Sequence, residues 1–373
     1  MRILNVLNYY TPYTSGLSNF ARQLAEQCVA GGHTVTTLTG RHRSDLAEEE
    51  EIGGVRVIRA RPLLFLHKGY ISPDFVGRSR TLASAADLVI LHAPMLEAAA
   101  IALAAPRRVP LVLLYHCEVV PSREFRVVDW AAIRTVRASC RIAAKRADRI
   151  VVTSLDFAKT SKVLRGLEAK FFELHPMDNV GRVDVRNAGV RDRPRVGFLG
   201  RFVEEKGIDV LLRAVQFVAE RAPNVEFVLG GEYREVAGRS KIDELKPLLE
   251  RVKQWVKLPG RIPDEELSDF YRSLDVFVLP SINSYESFGM VQVEAMKHGV
   301  PVVVSDLPGV RVPVQLTRNG TLVAPGDPIG LASAILEQLH NPCGTPEQIA
   351  SRAWAVFSAE QRQKKLTDLL GSC

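Results

Sequence analysis

No two cysteines of this 373-residue chain stand in a CxxC spacing, and the five present (Cys28, Cys117, Cys140, Cys343 and Cys373) are an odd number. A disulfide framework and a cysteine-built zinc site are thereby excluded, and a reducing cytoplasm is favoured. Long apolar runs are missing as well. The longest, Ala98–Pro106, falls well short of the ~18–20 residues a membrane-crossing helix needs. The opening MRILNVLNYYTP has no cleavage region and reads as a first β-strand rather than a signal peptide. Asp-x-Asp does not occur and the eight histidines are scattered, so neither a metal nor a bound cofactor is expected. No GxGxxG follows a strand candidate, which argues against a dinucleotide dehydrogenase, and GxxxxGK with Ser or Thr is absent too. With 26 glycines and 21 prolines the chain holds too few, too scattered, for a fibrous or disordered protein. Repeats and low-complexity tracts are missing.

What is present is an ordinary globular composition, 46% apolar and 24% charged. At this length one hydrophobic core is exceeded, so two domains of similar size are expected. The net charge of +7 is unevenly spread: residues 1–190 hold 26 Lys/Arg against 18 Asp/Glu, and the remainder 23 against 24. A positive half beside a neutral half suggests a surface that meets something anionic.

Short β-branched runs alternate with helical patterns through both halves, which predicts parallel sheets covered by helices. The first half offers strands at Arg2–Asn8, Thr34–Thr39, Val55–Arg59, Asp87–His92, Leu111–His116 and Arg149–Ser154, with a helix over Ser18–Ala30. The second restarts the rhythm at Val196–Gly200 and continues at Val225–Leu229, Trp255–Leu258, Val276–Leu279 and Pro301–Ser305. Between them Arg186–Arg195 has a linker composition. The expected domains are 1–188, 189–345 and a terminal helix pair, 346–373, crossing back to the first.

Two segments carry chemistry. In Asp275–Gly309 a buried strand ends at Pro280, a polar loop follows, and a helix opens near Phe288-Gly289. Ligands of open α/β sheets bind beyond the carboxyl ends of strands, and the free amides of a first helical turn form an anion site. Glu286 and Glu294 stand eight residues apart; on one helix that leaves them about 80° apart, able to border one cleft. Carboxylates accept from vicinal hydroxyls, so the pair suits sugar-phosphate chemistry, although surface glutamates are common. In VGFLGRFVEEKG, Arg201 and Lys206 follow a strand and could clamp a diphosphate, the first as a fork and the second as a point charge, or simply pair with Glu204 and Glu205.

LGRFVEEKG, LPGRIPDEEL, PSINSYESFGMVQVEAMKHGVPVVVSD and NGTLVAPGDP occur in that order. Together they resemble the nucleotide-sugar half of the retaining glycosyltransferases of family 4, and YYTPYTSG and LVLLYH resemble the acceptor half. The resemblance implies a GT-B fold, two Rossmann-like domains facing each other across a cleft. It also implies metal-independent transfer of a hexose from a nucleoside diphosphate sugar. On it, Arg201 and Lys206 bind the donor's phosphates and support the leaving group. Glu286 holds the transferred sugar, with Ser287, Phe288, Gly289 and Met290 as its cradle, and Glu294 binds the ribose. Arg261 and Ile262 form the base-binding edge, His116 faces the sugar, and Gly16 lets backbone approach phosphate. The chain departs from the family where Ser15-Gly16 replaces two glycines and where Gly231-Glu232 interrupts a Gly-x-Gly-Pro.

Arg134, Arg137, Arg141, Lys145 and Arg149 are spaced 3, 4, 4 and 4, placing them on one helix face opposite Ile133, Val136, Cys140 and Ala144. The face reads either as a contact for an anionic membrane surface or as an ordinary solvated one. The expected partners are therefore a nucleotide-sugar donor and a glycan or lipid-linked acceptor, with the protein cytoplasmic and peripheral. Nucleic acid is not expected, because no aromatic-basic surface motif accompanies the charge. A soluble acceptor, an epimerase or hydrolase, and a non-catalytic binding protein of the same fold stay open as alternatives.

Overall fold

Runs rich in Val, Leu and Ile form the strands of two largely parallel sheets, one in each of two units. The computed structural model describes residues 1–66, 69–121, 127–176, 185, 193–233 and 240–372. One unit is Met1–Met177 with Arg362–Cys373, the other Asp178–Gln361. Residues 186–192 of the expected linker, and the expected boundary at 188/189, lie outside the described residues.

The first unit contains β1 (Arg2–Val6), β2 (Thr34–Gly40), β3 (Glu49–Ile52), β4 (Val55–Ala60), β5 (Leu64–Leu66), β6 (Gly69–Ile71), β7 (Leu88–Ala93), β8 (Leu111–Tyr115), β9 (Arg149–Val152) and β10 (Phe171–Glu173). Its helices are α1 (Gly16–Ala30), α2 (Pro73–Ala85), α3 (Ala98–Ala104), α4 (Val127–Arg146) and α5 (Leu155–Thr160). Eight strands form one sheet in the order β10-β9-β8-β7-β1-β2-β4-β3, and β5 and β6 pair separately. Both faces of this sheet are covered. On β7, Val89, Leu91 and Ala93 enter one cluster and Leu88 and Ile90 the other, which is why such strands read as continuous apolar runs. Strand β3 escapes the apolar pattern because it is Glu-Glu-Glu-Ile. It pairs antiparallel with β4 at the sheet edge, where Arg56 bonds Glu49 at 2.6 Å and Arg59 pairs with Glu50. A charged edge also discourages pairing with another chain. Helix α1 starts before the expected Ser18, because Ser15 and Ser18 close a reciprocal capping box at 3.1 and 2.8 Å.

The second unit contains β11 (Arg195–Leu199), β12 (Glu226–Gly230), β13 (Val256–Gly260), β14 (Val276–Leu279), β15 (Val302–Ser305) and β16 (Gly320–Val323). Its helices are α6 (Ile208–Ala219), α7 (Ile242–Val252), α8 (Leu267–Arg272), α9 (Met290–Lys297), α10 (Val312–Thr317), α11 (Pro328–His340) and α12 (Pro346–Val356). From Arg362 onward the last helix, α13 (Ala359–Gly371), belongs to the first unit, where Leu366, Leu369 and Leu370 cluster with Phe20 and Leu24 of α1. Six parallel strands run β13-β12-β11-β14-β15-β16, the doubly wound order in which direction reverses between β11 and β14. Arg195 is not linker. It opens β11, its amide donating to Asp275 at 2.8 Å and its guanidinium pairing with Glu226 at 2.7 Å.

Candidate active site

The loops leaving β11 and β14 meet beyond the point where the strand order of the second sheet reverses. After β11 the loop through Arg201 leads to a short 3₁₀ turn, Glu204–Lys206, and Gly207 then turns left-handed at φ 63° to start α6. A Cβ on Gly207 would overlap the Pro280 carbonyl oxygen, so the glycine lets this loop lie against the exit of β14. The Ile282 amide donates to the Glu205 carbonyl at 3.0 Å and ties the two loops. The result is a direct contact between Lys206 Nζ and the Glu286 carboxylate, two side chains only 16% and 14% exposed. So little solvent screens the pair far less than a surface ion pair. Arg201 lies 3.7 Å from Glu205.

Helix α9 begins after Gly289, which stands left-handed at φ 75°. A Cβ there would overlap Leu279, so only glycine turns the chain at this point. The loop ahead of the helix is locked from below. Gln292 is fully buried and donates to the carbonyls of Phe288 (2.7 Å) and Val310 (2.8 Å). The Phe288 ring is buried with Val293, Val312 and Phe357, so only its backbone can serve as a cradle. Glu286 therefore lies in the loop, three residues ahead of the turn, and the 80° helical relation with Glu294 does not apply. Glu294 does sit on α9. Its carboxylate accepts from the Tyr271 hydroxyl at 2.6 Å, and the Tyr271 ring stacks on His298 at 5.1 Å. Arg261 and Ile262 follow β13; Arg261 is exposed and Ile262 lies close against Gly230.

Gly16 and His116 belong to the other unit. Gly16 is the first residue of α1, is exposed, and a Cβ there would meet nothing within 4 Å. His116 follows β8 and is buried. Its Nε2 lies 2.8 Å from His92 Nδ1, and His92 Nε2 lies 2.7 Å from Asn5 Oδ1. Asn5 in turn donates to Thr37 Oγ1 at 3.2 Å. Burial pushes the His116 imidazole down to about 3 and His92 well below the usual histidine range, so both are neutral at physiological pH.

The description "Glycosyl transferases group 1" fits residues 193–341, and "Glycosyl transferase 4-like domain" fits residues 15–169. The chain belongs to the family-4 glycosyltransferases. An uncharacterised glycosyltransferase of Methanocaldococcus jannaschii is 28% identical over 95% of this chain and 92% of its own. The phosphatidyl-myo-inositol mannosyltransferase of Mycobacterium leprae is 35% identical, over 44% of this chain and 43% of that protein. The chain thus spans less than half of that characterised relative. Sucrose-phosphate synthase from Thermosynechococcus elongatus superposes with a TM-score of 0.80 at 21% identity, covering 100% of this chain and 98% of that one. Anabaena HepE, solved with UDP-glucose, superposes at 0.73 and 19% identity with both chains fully covered. The fold is GT-B.

Within this family-4 chain the basic stripe differs from its sequence reading. Arg149 is not on α4, which ends at Arg146; it opens β9. Arg137 and Arg141 are half-buried and donate to the carbonyls of Val119 (3.0 Å) and Val163 (2.8 Å). Arg134 and Lys145 remain exposed, together with Trp130 (52%) and Ile142 (43%), and the Arg134 guanidinium lies 4.3 Å from the centre of the Trp130 ring. Sequence reasoning missed Tyr271, Gln292, Asn5 and His92. A signal existed for the last two: each is a polar residue that interrupts a run of apolar residues within a strand. Among the described residues no helix is long and apolar enough to cross a membrane, and no three His, Cys, Asp or Glu side chains converge as metal ligands do.

Proposed function

We propose that the chain transfers a hexose, with retention of configuration and without a metal, from a UDP- or GDP-linked donor to a lipid-linked or cell-envelope glycan acceptor. The observation that carries this reading is the contact between Lys206 and Glu286 ahead of α9, with Arg201 on the same loop as Lys206 and paired with Glu205. Two cations and the positive end of a helix suit a diphosphate, and a carboxylate beside them suits the hydroxyls of the sugar it carries. In the free chain Lys206 and Glu286 neutralise each other. A bound diphosphate draws Lys206 away and frees the carboxylate for the sugar.

Glu294, held by Tyr271, binds the ribose, and the backbone at Arg261-Ile262 borders the base. Ser287, Phe288, Gly289 and Met290 offer backbone to the sugar and phosphates. In the transfer, the bond from the sugar's anomeric carbon to the diphosphate breaks with its electron pair leaving on the phosphate. The acceptor oxygen bonds to that carbon on the same face and gives its proton to the departing phosphate oxygen. Arg201, Lys206 and the α9 amides stabilise the charge that develops there. HepE is a structural neighbour solved with UDP-glucose, which supports a nucleotide-sugar donor. A relative that mannosylates phosphatidyl-myo-inositol supports a lipid-linked acceptor. On this reading the enzyme works in the cytoplasm, at the membrane surface.

Titration calorimetry with UDP and GDP tests the clamp. Arg201→Ala and Lys206→Ala should each weaken the better-bound diphosphate by ~1.5–3 kcal/mol, the scale of a charged hydrogen bond. Unchanged affinity in both variants would remove these residues from the site and the reading with them.

A further inference from the structure

We infer that Asn5 and His92 are positioning residues that hold His116 as its Nε2–H tautomer, leaving Nδ1 as the acceptor for a substrate hydroxyl. The three side chains come from β1, from β7 and from the residue just after β8, at the carboxyl ends of strands that are neighbours in one sheet. The proton positions follow from the chain of contacts. Asn5 Nδ2 donates to Thr37 Oγ1 at 3.2 Å, which turns Oδ1 toward His92 Nε2 at 2.7 Å. An amide oxygen only accepts, so His92 carries its proton on Nε2. A neutral imidazole has one N–H, so His92 Nδ1 is a lone pair. It faces His116 Nε2 at 2.8 Å, and that nitrogen must donate. A second proton on His92 Nδ1 would set N–H against N–H, and burial of both rings opposes the charge.

His116 Nδ1 is then a lone pair as well, and it has no hydrogen-bond partner among the described residues. The ring is held from the side by the edge of Phe20, 5.1 Å away at 83°, and lies within 10° of the His92 plane. Nothing along the relay is charged. It sets the direction of a hydrogen bond and supplies no proton. A substrate hydroxyl therefore reaches His116 as donor, and a group that only accepts, such as a phosphate oxygen, is disfavoured there.

The kinetic part of the test rests on the reading of His116 as substrate-facing; the tautomer part does not. Long-range ¹H–¹⁵N correlation spectra of the full-length chain, assigned with His92→Gln and His116→Gln, should show both rings protonated at Nε2. Protonation of His116 at Nδ1 would overturn the inference. Asn5→Leu keeps the volume and removes the acceptor. It should give mixed tautomers at His116 and lower kcat about tenfold, one hydrogen bond's worth, with nucleotide affinity unchanged. Asn5→Asp, whose ionised side chain can only accept, should restore the Nε2–H spectrum and most of the lost turnover above pH 8. A relay running the other way would instead be inverted by that substitution. Wild-type spectra in Asn5→Leu would also sink the inference. Should Asn5→Leu not fold, the wild-type spectrum alone decides. Full activity in His116→Gln would instead remove His116 from the reaction and leave the tautomer assignment intact.

Discussion

At the scale of single residues, the two glutamates beside α9 are set apart by their partners. Glu286 is paired with Lys206, whereas Glu294 is held by a tyrosine hydroxyl from α8. If the first holds the sugar and the second the ribose, Glu286→Gln should cut kcat far more than nucleotide affinity. Glu294→Gln, and to a lesser degree Tyr271→Phe, should weaken the nucleotide itself, by about 1–2 kcal/mol for the tyrosine's hydrogen bond to a carboxylate. Equal loss of nucleotide binding in both glutamine variants, with the fold intact, would show that the division of roles is wrong. The histidines make a separate prediction about pH. Burial depresses His116 to about 3 and His92 well below its ordinary value, while the unfolded chain takes up these protons near pH 6.5. The unfolded state thus binds more protons as pH falls, and stability present above about pH 6.5 is lost progressively below it. The melting temperature should decline from about pH 6.5 to 5, a window in which most carboxylates are still ionised. His92→Gln should flatten that decline in part, and an unaltered slope would clear His92 as a source.

At the scale of elements, the site is made by two turns rather than by its helices. Gly207 and Gly289 both stand left-handed, and each lies where a side chain would overlap the end of β14. The first brings Lys206 against Glu286, and the second sets the direction of the α9 amides. Gly289→Ala should therefore destabilise the chain by at least the ~1–2 kcal/mol that a left-handed residue costs, with the overlap at Leu279 in addition. It should also lower nucleotide affinity, because the amides of the first turn are displaced. Chemical denaturation and calorimetry on one preparation would check both. A variant as stable and as tightly binding as the parent would show that this turn is not what shapes the site.

At the scale of the whole molecule, the positive charge is concentrated in residues 1–190, but less of it is available than the count suggests. Arg137 and Arg141 are committed to backbone carbonyls, whereas Arg134, Lys145, Trp130 and Ile142 are among the exposed residues described on α4. If this face meets a membrane, headgroup attraction acts there together with aromatic and aliphatic groups that can enter the interface. Retention on anionic vesicles at low salt should fall as salt rises past a Debye length of ~8 Å, yet not vanish, since the apolar groups are unscreened. Charge reversal at Arg134 and Lys145 should weaken retention, and Trp130→Ala should remove the salt-resistant remainder. No retention at low salt would sink the membrane reading, leaving a soluble acceptor and an unchanged transferase.

The parallel sheets were legible in the sequence, because strands buried on both faces are written as continuous runs of Val, Leu and Ile. The two loops that follow β11 and β14 were legible for a related reason: glycines, cations and carboxylates stand at fixed distances from strand ends, and those distances are local. Strand β3 was not, since its three glutamates carry no burial signal and its place depends on pairing with β4. Spacing also misplaced Arg149, as a 3-4-4-4 pattern continues past Arg146, where the helix stops. The partners of the candidate site side chains were out of reach altogether. Lys206 meets Glu286 across 80 residues, Tyr271 meets Glu294 across 23, and His92 meets Asn5 across 87. Periodicity encodes which face of an element is buried. Which side chains then touch depends on strand order and on the path of the turns between strands, and only the tertiary structure decided that.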